Sequence, residues 1–307
     1  EVSNNITIEF IHITHSIPQS ALVAVHTKYG VILYANDFKL DMHPTLGKKP
    51  NFKRMEEISK ENVLALVVES TYASDQRKMP SEQVAKDMLR DVLLGTDNKD
   101  NLIIVTTFSS HIARLKAIIE FGKKLNRKIL FLGRSLAKYV KAAEKIGIVG
   151  FSKDIEMVKY SRQIERRLKK VDKDRKKYML VVTGHQGEHK SVLYKIAKKE
   201  FKFNLYPEDN VVFSCRTIPT PTNIGNRDAL ENELKQTGVR IFKDIHQSGH
   251  AAREDLRDFI HIIKPKNIIP SHGNKEMRES LAELAEEMGY KIRENVLMLK
   301  DGSKVAL

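Results

Sequence analysis

Short, unbroken apolar runs alternate with segments of helical periodicity from residue 63 to residue 213, and this alternation restricts the chain to few folds. Residues 63–68, 102–108, 128–132, 179–182 and 211–213 read as strands. The first run is apolar throughout, which suits a strand buried on both faces. Between them, Pro80 and Ser81 open a helix that Gly95 stops, with Ser81 as its cap. Ile112, Leu115, Ile118, Ile119 and Leu125 form a helical stripe, and residues 136–146 and 191–199 read as further helices. Strand–helix–strand units of this kind return in parallel, so the expected class is α/β with a parallel sheet covered on both faces. Upstream, residues 6–10, 21–26 and 30–34 read as strands, with a turn at Tyr29-Gly30. Downstream, a strand at 239–242, a helix at 253–263, a strand at 266–270 and a helix at 275–288 precede a final hairpin through Asp301-Gly302.

A chain of 307 residues is expected to form two domains. Its 41% hydrophobic and 30% charged residues exclude global disorder and fibrous architectures. No apolar run is long enough for a membrane span, and residues 1–5 carry no signal-peptide pattern. Cys215 is the single cysteine, which excludes a disulfide framework; we expect a buried structural thiol and a reduced, cytoplasmic setting. Lys and Arg exceed Asp and Glu by 53 to 39, a net charge of +14 that favours a polyanionic partner. Residues 162–177 hold nine Lys/Arg against three Asp/Glu and read as a solvated helix or loop, or as an arm facing nucleic acid.

Chemistry-bearing residues gather at the strand ends, where α/β sheets bind ligands. His15, Asp37, Glu69, His250 and His272 each follow an expected strand, with small neighbours that permit close approach. Singly, each reads as a turn, cap or satisfied polar residue. Together, three imidazoles and Asp37 offer nitrogen and oxygen ligands of the kind zinc or manganese takes. No cysteine cluster or His-Glu-x-x-His helix competes, and His185 and His189 fall in a glycine-containing loop. Three more loops precede helices: Ser109-Ser110-His111, Gly133-Arg134-Ser135 and Gly184-His185-Gln186-Gly187. They read either as helix caps or as a phosphate-binding rim.

These motifs, in this order, resemble the metallo-β-lactamase/β-CASP nucleases over nearly the whole chain, most closely ribonucleases J of the archaeal type. The resemblance implies a partial metallo-β-lactamase αββα sandwich, residues 1–80 and 237–307, with an inserted β-CASP domain of parallel-sheet α/β type at 81–236. It implies two divalent metal ions, zinc first, with manganese or magnesium as alternatives. His15 in THSIPQS would hold one metal, His272 in PSHGN the other, and Asp37 in ANDFKLD would bridge them. With Asp37, His250 in HQSGHA and Glu69 in VESTYA complete the implied catalytic set, His250 contacting the scissile phosphate and Glu69 orienting a histidine. Ser109, Ser110, His111, Arg134, Ser135, Gly184, His185, Gln186, Gly187, Ser248 and Gly249 would hold RNA phosphates.

The implied activity is a metal-dependent ribonuclease, mainly a 5′-to-3′ exonuclease preferring 5′-monophosphate RNA. An endoribonuclease of the mRNA 3′-end-processing type and a non-catalytic RNA-binding module are the alternatives. The implied partners are single-stranded RNA and a second copy of the chain, with no membrane. The family's His-x-His-x-Asp-His cluster has no counterpart in this sequence. The resemblance places it upstream of Glu1, so the two-metal site is expected to be incomplete here, in part of a longer enzyme or in a natural pseudo-enzyme.

Overall fold

The computed structural model describes residues 2–307. The chain forms two compact units, one made of residues up to Ser81 together with Ser248–Leu307, the other of Glu82–Gln247. The opening segment supplies β1 (Ile6–His12), β2 (Ala21–Thr27), β3 (Gly30–Ala35), α1 (Phe52–Ile58) and β4 (Val63–Glu69). The second unit runs α2 (Glu82–Gly95), β5 (Ile103–Thr106), α3 (Ile112–Lys124), β6 (Lys128–Leu132), α4 (Arg134–Lys145) and β7 (Ile155–Val158). It continues through α5 (Ser161–Val171), β8 (Tyr178–Val182), α6 (Val192–Ala197), β9 (Asn210–Phe213), α7 (Pro221–Lys235) and β10 (Arg240–Phe242). The chain returns to the first unit with α8 (Arg253–Ile263), β11 (Asn267–Ser271) and α9 (Lys275–Glu287).

The first unit holds a five-stranded sheet in the order β1-β2-β3-β4-β11. The first three strands are antiparallel; β3 with β4 and β4 with β11 are parallel. Gly30 opens β3 because no side chain fits there: its φ is +143° and a Cβ would lie 2.4 Å from the Asn62 carbonyl oxygen. Alternation sends Ile11, Leu22, Leu33, Leu66 and Ile268 to one face, where Met55 of α1, Phe259 of α8 and Leu281 of α9 cover them. The opposite face carries Ile8, Phe10 and Tyr34, of which Phe10 is 73% exposed. Of the expected αββα sandwich, the described residues thus supply one sheet and one helical layer.

The second unit is a six-stranded, wholly parallel sheet in the order β10-β9-β5-β8-β6-β7. Strands β5 and β9 are buried at every position, which explains their unbroken apolar sequence. Helices α5, α6 and α7 cover the face bearing Ile104, Leu130, Leu180 and Val211. Helix α3 covers the other, where Gly122 seats its backbone directly on Met179 and Ile129.

Several expectations need correction. Asp301-Gly302 is a turn with no strand on either side, so there is no final hairpin. Strand β10, Arg240–Phe242, pairs with β9 and extends the parallel sheet, and the first unit resumes at Ser248. Helix α6 is six residues long, with Lys199 in the left-handed region two residues beyond its end. The basic segment resolves into α5, which turns Ile164, Leu168 and Val171 inward, and a short helical turn at Arg175–Lys177. Elements α1, β7 and α7 have no counterpart in the sequence reading.

Among the described residues, Arg114 is the largest fully buried side chain. Its Nε and Nη2 donate to the two carboxylate oxygens of Glu82 at 2.6 and 2.7 Å. Its Nη1 donates to the carbonyls of Ser214 and Ile245 at 3.0 and 3.1 Å. Burial alone would raise the Glu82 carboxyl; the charges of His111 and Arg114 outweigh it and hold it well below the usual carboxylate range. Burial and the same guanidinium push His246 down to about 2, so its ring is neutral. A paired, buried charge is costly to orphan, so Glu82→Ala should lose about 3–5 kcal/mol in denaturant unfolding. The carboxyl is depressed in the folded state, so the pair's contribution is present above the ordinary value of 4.5 and is lost as pH falls through the folded-state value. Glu82→Gln should lack this part of the acid dependence; unfolding midpoints equal to wild type would contradict the assignment.

Candidate metal centre

Three loops of the first unit converge. The bridge between Thr14 and Lys39 lays the segment after β1 beside the segment after β3. The Lys39 N–H donates to the Thr14 carbonyl at 2.8 Å, and the Thr14 hydroxyl returns a bond to the Lys39 carbonyl at 2.5 Å. This sets His15 next to Asp37. The third loop, between β10 and α8, brings Ser248, Gly249 and His250. Lys39, itself buried, fixes that loop by donating from Nζ to the Ser248 carbonyl at 3.0 Å.

His15 and His250 are each held by one nitrogen and present the other. His15 Nδ1 lies 2.8 Å from the Gly249 carbonyl oxygen, which can only accept, so Nδ1 carries the proton and Nε2 is left as a donor for a metal. His250 Nδ1 lies 2.5 Å from Glu69 Oε2. Glu69 is fully buried at the end of β4, and its other oxygen accepts from the Phe38 N–H at 2.9 Å. One carboxylate therefore fixes both the ring of His250 and the backbone next to Asp37. Burial alone would lower His250; the hydrogen bond and charge of Glu69 reverse this and hold it above the ordinary histidine value.

Asp37 lies between imidazoles. Its Oδ2 is 3.8 Å from His15 Nε2 and its Oδ1 is 3.3 Å from His272 Nε2, so each oxygen faces a different ring. Ligand atoms of His15, Asp37 and His250 lie within 4.8 Å of one another. The His15 and His250 rings meet edge-on at 4.9 Å, and those of His250 and His272 stack at 5.7 Å. His272 adopts the left-handed conformation at φ 43°, and the Thr71 hydroxyl donates to its carbonyl at 3.2 Å. Imidazole nitrogens around a carboxylate, with His15 and His250 oriented by hydrogen bonds behind them, are a donor set that fits a first-row dication.

Sequence reasoning missed Lys39, Thr14 and Asp41, which hold these loops together. Asp41 lies 3.8 Å from the Lys39 ammonium, and its N–H donates to the Thr14 hydroxyl. A lysine and an aspartate two apart behind Asp37 were the available signal, but nothing in the sequence says they face inward.

In the second unit the expected phosphate rim divides. Ser109 and Ser110 are half-buried and Arg134 and Ser135 exposed at the ends of β5 and β6, with the Ser109 and Ser135 hydroxyls 2.9 Å apart. Others are corrected. His111 is buried: its Nδ1 caps α3 and its Nε2 lies 3.4 Å from Glu82. Gln186 is buried, its amide donating to the Arg216 carbonyl and accepting from the Ile218 N–H. Gly187 touches the backbone of α7, where a Cβ would lie 2.3 Å from the Asn226 carbonyl oxygen, and Gly184 is pressed against Ser191. The His185 ring packs on Phe108 at 4.3 Å, and burial lowers its proton affinity. Cys215 is a buried free thiol, raised to about 11 by burial.

Residues 100–235 match the family model described as the ribonuclease J β-CASP domain, and residues 238–296 the Zn-dependent metallo-hydrolase RNA specificity domain. The whole chain is 43% identical to ribonuclease J of Pyrococcus abyssi and covers 68% of it. It is 45% identical over 305 residues to ribonuclease J of Methanocaldococcus jannaschii, again covering 68% of that protein. The chain belongs to the ribonuclease J family. A more distant member, from Sinorhizobium meliloti, is 30% identical and is covered to 51%. A crystal structure of a protein of unknown function from Enterococcus faecalis V583 superposes with a TM-score of 0.63 at 16% identity, covering 99% of this chain and 64% of that one. That likeness supports the fold alone.

In this family member the close passage of Gly249 under His15 sets the ring. A Cβ at 249 would lie 2.8 Å from His15 Nδ1 and 2.7 Å from the Ser16 backbone nitrogen. Gly249→Ala should therefore move the imidazole and weaken metal binding about 10–100-fold, the usual cost of disturbing the groups behind a ligand. Competition against a fluorescent chelator measures this; unchanged affinity would show that the His15 loop yields without cost.

Proposed function

We propose that this chain carries a metal-dependent ribonuclease site that degrades single-stranded RNA from its 5′ end. The observation that carries the reading is Asp37, whose two carboxylate oxygens face two different histidines. His15, Asp37 and His272 would hold divalent ions, with Asp37 shared between them, zinc being the first choice and manganese or magnesium the alternatives. Such ions supply charge neutralisation at a phosphodiester and activation of water. The remaining roles fall to side chains. His250, fixed by Glu69, directs Nε2 away from its carboxylate partner and donates a hydrogen bond to a phosphate oxygen. Lys39 keeps the Ser248-Gly249 backbone in place through the Ser248 carbonyl, so that its N–H groups lie beside the same phosphate.

In the full-length protein, Asp37→Ala and His272→Ala should lose both metal and activity, whereas His250→Ala should lose activity and keep its metal. Elemental analysis of the three variants decides the division of roles. Metal loss in His250→Ala would make it a ligand, an outcome its position within 4.8 Å of the His15 and Asp37 ligand atoms allows.

An enzyme that starts at a 5′ end must hold the terminal phosphate. Within the first unit we assign Ser248 and Gly249 to the scissile phosphate, and within the second, taken by itself, Ser109, Ser110, Arg134 and Ser135 to RNA phosphates. RNA bearing a 5′-monophosphate should then disappear faster than the same sequence with a 5′-triphosphate or a 5′-hydroxyl. A time course on three end-labelled RNAs tests this. Equal rates, with internal fragments appearing first, would replace the exonuclease reading with an endonuclease.

A further inference from the structure

A cavity of about 560 Å³ opens in the second unit where the loops after β6, β7 and β8 meet. Its walls combine three apolar side chains, Ile164, Val192 and Phe201, with four cations, Arg134, Lys159, Lys190 and Lys195. No carboxylate lines it, and among the described residues none of the four cations forms an ion pair with Asp or Glu. In a chain with 39 acidic residues and dense surface ion pairing, four unneutralised cations around one cavity mark an anion site. Lys159 stands beside Lys141, whose side-chain hydrogen bond and like charge pull it below the ordinary lysine value, and an anion would relieve that crowding of cations. Helices α4 and α5 both begin at the cavity, at Gly133 and Tyr160, with no side chain capping either start. Their N–H groups add donors, but the lysines make the site.

Ile164, Val192 and Phe201 belong to the core that floors the cavity, so the class of anion is decided at its lip, where a nucleotide would present both a phosphate and a flat base. The volume falls within the range of small-molecule sites, roughly 300–1,000 Å³. Tyr160 stands at the lip, 60% exposed, with its ring free to stack. We propose that this cavity binds a nucleoside phosphate, the phosphate on Lys159, Lys190 and Lys195 and the base on Tyr160. The nucleotide is either free or one residue of an RNA strand; in the second case the exposed Arg162, Arg166 and Lys170 of α5 continue the cationic path. The site shares Arg134 and Ser135 with the rim assigned above, but its lysines and Tyr160 take no part in that reading, and it contains no metal ligand.

The test is binding without turnover. Full-length protein in EDTA is titrated with AMP, with inorganic phosphate and with a 5′-hydroxyl oligoadenylate. AMP or the oligonucleotide should bind more tightly than phosphate, and Lys159→Ala/Lys190→Ala should weaken that binding about tenfold and flatten its salt dependence. Lys159→Arg/Lys190→Arg should retain it, and Tyr160→Ala should reduce the advantage of AMP over phosphate. A preference for the oligonucleotide identifies a strand as the ligand, and a preference for AMP identifies a free nucleotide. Both lysines are surface groups, so unchanged melting temperatures will exclude misfolding. Unaltered affinity in the double alanine variant, or no preference of AMP over phosphate, overturns the proposal. No readout needs a metal, and the Lys159, Lys190 and Tyr160 variants, which lie outside the rim assigned above, separate this site from the 5′-phosphate reading.

Discussion

One buried guanidinium ties the second unit to itself. Arg114 grips Glu82, the first residue of that unit, and the Ile245 carbonyl, two residues before its last. Every donor must be matched in so dry a place, and here Glu82, Ser214 and Ile245 do so. Hydrophobic burial would assemble the parallel sheet in any case, but it is indifferent to where the chain enters and leaves. The ion pair is not, because its bidentate geometry admits one arrangement of α2, α3 and the strand-end loops.

The first unit is governed by a second carboxylate. Glu69 takes no part as a metal ligand in our reading, yet it holds Phe38 with one oxygen and His250 with the other. Removed from water at the end of a fully paired strand, it has no freedom to serve either partner alternately. The spacing between the Asp37 loop and the His250 loop is thereby set by a single rigid group. Lys39 acts in the same sense on the other side, joining the Asp37 loop to Ser248.

The parallel sheet was legible because strands covered on both faces have no polar alternation to obscure them; β5, β8 and β9 are the cases in point. Helix α7 was not. Its residues Asn223, Gly225, Asn226 and Arg227 break the apolar stripe, and its stability comes from the Thr220 cap and the packing of Leu230 and Leu234. Strand β7 is a four-residue edge with only Val158 buried, too short to show a period. In the candidate metal centre, the residue types and their strand-end positions were readable, and the structure brings His15, Asp37, His250 and His272 close together with Glu69 behind His250. Side-chain direction was not readable, which is why His111 and Gln186 looked like rim residues although both point inward. A loop motif fixes backbone position, and only packing decides which way an imidazole or amide turns.

The pairing of β4 with β11 also bears on how the chain folds. Ala65 sits opposite Asn267, with the whole second unit between them in sequence. On a ribosome β4 is complete long before its neighbour exists, and it waits with one edge unpaired. An unstructured connection of that length would make the search for β11 slow. Once the intervening unit closes on Arg114, its entry and exit are joined, and the effective loop shrinks to residues 70–81 on one side and 246–266, with α8, on the other. The clasp that closes one unit thus shortens the loop that the other must close before β11, and with it His272, can join β4.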